Sequence, residues 1–84
     1  MTWRSYENGK TVGKQGSEDG TIFRDEEHVE GSRITLERGG HVAPFAITCG
    51  IYGWMAHTRF FGSETEAQSE FDAMKEALAA MALP

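Results

Sequence analysis

Between Phe45 and Phe61 the chain reads Phe45-Ala-Ile-Thr-Cys49-Gly-Ile-Tyr-Gly-Trp54-Met-Ala-His-Thr-Arg-Phe-Phe61 and runs at once into Ser63-Glu-Thr-Glu66 and a helical pattern. No other stretch limits the fold as much. Two apolar, period-two segments around a glycine-bearing centre describe a β-hairpin, and a hairpin followed by one amphipathic helix needs that helix to cover a sheet face. With Gly50–Gly53 as the loop and Cys49 opposite Trp54, the residues Phe45, Ile47, Cys49, Trp54, Ala56 and Phe60 share the expected core face. Ala46, Thr48, Met55, His57, Arg59 and Phe61 then fall on the other face, where Met55 and Phe61 are large apolar groups in need of cover.

The helix is signalled at both levels. Ser63 and Glu66 form a capping box, in which the Ser63 hydroxyl meets the Glu66 amide, and the acidic first turn suits the positive end of the helix dipole. Ala67, Phe71, Met74, Leu78 and Met81 follow at steps of four and three, one apolar stripe that ends near Ala82. Phe71, Met74 and Leu78 are the expected seam against Phe45, Ile47, Trp54 and Ile34.

Upstream, Arg33-Ile34-Thr35-Leu36-Glu37 alternates as a half-buried strand with Ile34 and Leu36 inward. Thr21–Val29 reads as its hairpin partner around Gly31-Ser32, with a bulge or break expected near Asp25-Glu26-Glu27, since a regular strand there drags acidic residues inward. Asn8-Gly9 is a strong type I′ turn signal and predicts a hairpin of Thr2–Glu7 on Lys10–Gly13. Lys14–Gly20 has no apolar residue and reads as a solvated loop. The expected architecture is α+β: an antiparallel sheet of four to six strands in hairpin (meander) order, with one C-terminal helix packed on one face. Residues 1–84 form a single domain in this reading, with 1–20 a mobile N-terminal hairpin and loop, 21–61 the sheet and 63–82 the helix.

Composition narrows function mainly by exclusion. Thirteen acidic against eight basic residues give a formal charge of −5. The basic residues are scattered singly, so the clustered cationic field of a nucleic-acid groove is missing. No apolar run approaches a membrane span, and Met1-Thr-Trp-Arg lacks the layout of a signal peptide. The single cysteine cannot close an internal disulfide, which fits a cytoplasmic protein.

Each candidate chemistry has a plainer structural reading beside it. His41, Cys49 and His57 are evenly spaced soft ligands, but the spacing matches no zinc pattern and the register above points Cys49 and His57 to opposite faces. Cys49 as a nucleophile lacks any base or motif beside it, so core packing is the expected role. Gly50–Gly53 has no Lys or Ser/Thr to make a phosphate cradle. Asp25-Glu-Glu27, His28 and Glu30 lack the ligand spacing of a calcium loop and read as a solvated, edge-protecting run.

The pair retained is His57 and Arg59, on one strand face, able together to hold a carboxylate or phosphate beside the aromatic Tyr52 and Trp54. No metal, no cofactor and no catalytic residue is assigned. The leading expectation is a small soluble binding or interaction module, not an enzyme, acting as a homodimer through Met55, His57, Arg59 and Phe61. Neither nucleic acid nor membrane is an expected partner. The alternative is a small-molecule or anion-binding protein, an enzyme among the options, using His57, Arg59, Tyr52 and Trp54.

Overall fold

The computed structural model describes residues 3–51 and 55–82. Five strands, β1 (Trp3–Ser5), β2 (Thr21–His28), β3 (Ser32–Arg38), β4 (Phe45–Ile51) and β5 (Met55–Phe61), precede the helix α1 (Glu64–Ala82). The strands lie in chain order in one antiparallel sheet, a meander with α1 packed against it, which is an α+β fold. Among the described residues no helix is long and apolar enough to cross a membrane.

The helix forms where its local signals place it. Glu66 donates its amide hydrogen to Ser63 Oγ at 3.2 Å, and Ala67 donates to the Ser63 carbonyl at 3.1 Å, so Ser63 satisfies amides of the first turn. Ala67, Phe71 and Leu78 are buried with Ile34, Leu36, Ile47 and Phe61, while Trp3, Phe23, Phe45, Cys49 and Met74 pack around that core. Phe71 is fully buried and also lies under the Arg24 guanidinium, 4.1 Å from the ring centre. Arg24 bonds Gln68 and Glu26, and Lys75 bonds Glu26 at 2.5 Å, so polar contacts flank the apolar seam.

The register of the β4–β5 hairpin corrects the expected one. Ile51 pairs with Met55, Cys49 with His57, Ile47 with Arg59 and Phe45 with Phe61. Cys49 was expected opposite Trp54, three positions earlier, and an odd shift inverts every β5 side chain. Met55, His57, Arg59 and Phe61 therefore hold register positions on the helix side of the sheet, with Phe61 buried there. The projection of this group from the helix-free face, which motivated a dimer through it, does not stand. Residues 52–54, and with them Tyr52 and Trp54, lie outside the described residues.

Three further expectations change. The bulge in β2 falls between Ile22 and Arg24, not at Asp25–Glu27. Asp25, Glu26 and Glu27 are not an edge run but sit in a strand flanked by β1 and β3, each with a cationic partner: Arg33, Lys75 with Arg24, and Arg4. Trp3–Ser5 pairs with Glu26–His28, so no Asn8-Gly9 hairpin forms. Glu7 and Asn8 take left-handed backbone angles in a 3-10 turn over Tyr6–Gly9, which redirects the chain across the sheet.

Candidate functional site: a polar groove on the helix-free face

A period-two pattern sends Arg33, Thr35 and Glu37 of β3 to the face opposite Ile34 and Leu36. Register then aligns the neighbours: Asp25 opposes Thr35, Thr35 opposes Thr48, and Thr48 opposes Thr58. One polar row therefore crosses four strands. Thr35 Oγ1 donates to the Thr48 carbonyl at 3.4 Å, and the Thr48 and Thr58 hydroxyls share a hydrogen bond at 3.2 Å.

Residues 6–20 fold over one end of this face and turn it into a groove of about 650 Å³, lined among others by Tyr6, Gln15, Ser17, Arg33, Thr35 and Thr48. That volume is in the range of small-molecule sites. Two buried carboxylates organise it. The fully buried Asp25 carboxylate accepts Arg33 Nε at 3.0 Å, Arg33 Nη2 at 2.7 Å and the Thr11 hydroxyl at 2.7 Å. The Arg33 guanidinium also stacks 3.7 Å from the Tyr6 ring centre. Its pKa is raised further by the Asp25 hydrogen bonds, so Arg33 is a permanent cation.

Glu37, 1% exposed, has no cationic partner among the described residues. Its carboxylate accepts the amide of Gly20 at 3.0 Å and that of Glu18 at 3.2 and 3.3 Å. Gly16 approaches so closely that a Cβ there would meet the Glu37 carboxyl group. Glu37 is thus the post to which the covering segment is tied: Gly20 is buried and Gly16 and Glu18 are half-buried, while Lys14, Gln15, Ser17 and Asp19 are exposed, as expected of a solvated loop.

His57 and Arg59 do not join this groove. Arg59 gives its charge to Glu70 of α1 at 2.6 Å. His57 is exposed and lies directly opposite Cys49, which is half-buried rather than fully enclosed. Burial raises the Cys49 pKa, the wrong direction for a nucleophile. Among the described residues no three His, Cys, Asp or Glu side chains converge on a metal position. His28, read as part of a charged run, is buried: it accepts the Glu30 amide at Nδ1, 3.0 Å, with the Trp3 ring edge-on at 5.1 Å.

Sequence reasoning missed Arg33, Thr35, Thr48 and Glu37 as a group. The signal is present in the alternation of β3, whose outward residues recur as regularly as its inward ones. Comparison with protein-family models, curated proteins and solved structures finds no match to the chain.

Proposed function

We propose that the protein is a small binding module that holds a small polar molecule, neutral or zwitterionic, in the groove on the helix-free face. The observation that carries this reading is the state of Arg33. Asp25 occupies its Nε and Nη2, Tyr6 stacks on its plane, and Nη1 has no hydrogen-bond partner among the described residues. A guanidinium whose orientation is already fixed loses little entropy when it binds an acceptor.

Charge selects the ligand class. Arg33 is balanced by Asp25 and Arg4 by Glu27, which leaves Glu37 as the unbalanced charge of the groove. A phosphate dianion would meet that buried carboxylate, whereas an uncharged or zwitterionic molecule can use Arg33 and the threonine row without the repulsion. This favours ligand binding over the homodimeric interaction module, with the ligand in this groove instead of beside His57, Arg59, Tyr52 and Trp54.

The test is a two-dimensional NMR titration with a panel of sugars, free amino acids, monocarboxylates and inorganic phosphate. Shifts centred on Tyr6, Arg33, Thr35 and Thr48 with a neutral or zwitterionic member, lost in Arg33→Gln, support the proposal. It fails if no member moves those signals at about 10 mM, well above the millimolar affinity of a weak ligand.

A further inference from the structure

We infer that β5 is a self-association edge: two copies pair their β5 strands antiparallel about a twofold axis at Thr58, extending one sheet through both. This is independent of what the groove holds. The two edges of the sheet differ. β1 has three residues, whereas β5 has seven paired to β4 in unbroken register without proline or bulge. On the side away from β4 the alternate amides and carbonyls of β5 have no strand partner among the described residues, and such an edge is a template for another strand.

Parity and shape specify the axis. In an antiparallel pair, opposed residues share a face, so a twofold that keeps the two sheets in one surface must pass through a residue position. Thr58 is the central residue of β5 and the choice that pairs all seven positions. It also continues the polar row, since Asp25, Thr35, Thr48 and Thr58 would be followed by the partner's Thr58 and Thr48.

The same axis sets Phe60 opposite the partner's Ala56, which is itself paired with Gly50. Phe60 is on this face and exposed, 42% accessible. Gly50 carries no side chain, so the surface beside it leaves an aromatic ring room to lie. On the helix side, His57 faces the partner's Arg59. Glu70 bonds Arg59 through Oε1 and keeps Oε2 for His57 of the partner subunit, so an acidic group sits between the two basic ones. The contact also brings the partner's Phe60 toward Gly50, a residue of the groove wall.

One strand edge is a small interface, so association is expected in the micromolar range. Sedimentation velocity on the full chain should show a reversible dimer at about 100 µM, weakened at least tenfold in Phe60→Lys, whose exposed site leaves the fold intact. An isotope-filtered NOE experiment on mixed labelled and unlabelled wild type should connect β5 to β5 between copies, centred on Thr58. A wild type that stays monomeric at about 500 µM overturns the inference. So does a dimer unaffected by Phe60→Lys, or one whose intermolecular NOEs lie away from 55–61.

Discussion

Gly20 donates its amide hydrogen to the Glu37 carboxylate at 3.0 Å, while Glu37 Cβ lies 3.0 Å from where a Cβ on residue 20 would stand. The Gly20 backbone thus lies close against the Glu37 side chain. That closeness ties the covering segment to the sheet and gives the groove its wall.

Glu37→Gln should loosen this tie. Glutamine keeps the one oxygen that both amides reach, but sets an NH2 where the second oxygen accepts the Glu18 amide at 3.3 Å, and that bond becomes a contact between two donors. The expected cost is about 1–3 kcal/mol. Urea denaturation measures it, and hydrogen exchange at Glu18 and Gly20 should accelerate while that at Ile34 and Leu36 follows only global stability. Gly20→Ala should act similarly, because its Cβ would stand 2.9 Å from the Arg38 carbonyl oxygen.

Arg33→Gln and Arg4→Gln should differ although both break an ion pair. Asp25 is fully buried and would lose its counter-charge, while Arg33 itself is 40% exposed. A cost of about 2–3 kcal/mol is expected, at the lower end for buried pairs. Arg4 is 68% exposed, and its loss should cost about 0–1 kcal/mol. Parallel thermal melts decide; equal destabilisation would mean that Asp25 is solvated.

Cys49 should make the protein less stable in alkali. Burial raises its folded pKa above the ordinary 9.0, so the unfolded chain loses the thiol proton first as pH rises. Stability is then complete below about pH 9 and falls above it until the folded pKa is passed. Cys49→Ala should flatten that part of the profile. At neutral pH a thiol reagent should label native protein more slowly than denatured protein.

Phe61→Asp should unfold the chain rather than separate subunits, since Phe61 is buried beneath α1 at 7% exposure. Phe71→Ala should cost about 3–5 kcal/mol through lost contacts and an incompletely closed cavity. Circular dichroism melts check both. For contrast, Phe60→Ser on the exposed face should shift stability by less than about 1 kcal/mol.

Legibility followed locality. Ser63, Phe71 and Leu78 could be placed from their own neighbourhood because capping and a 3.6-residue stripe are properties of consecutive residues. Ile34 and Leu36 were equally plain from alternation. The groove was not: Tyr6, Arg33 and Thr48 are far apart in sequence, and Arg33 carries no mark of its role until Asp25 and Tyr6 are brought against it. The acidic run Asp25–Glu27 misled for the same reason, since each of its charges is answered by a residue on another element.

By itself, the sequence determined that a hairpin sheet ends in one capped helix, which residues of β3 and α1 face each other, and that no basic field exists. Tertiary structure decided which side of β5 meets the helix and where residues 6–20 go. Strand faces repeat every two residues, so the number of residues left in the turn sets their sense, and only cross-strand pairing specifies that number. The path of the covering segment depends on Glu37, whose buried carboxylate is stable only where distant amides converge on it.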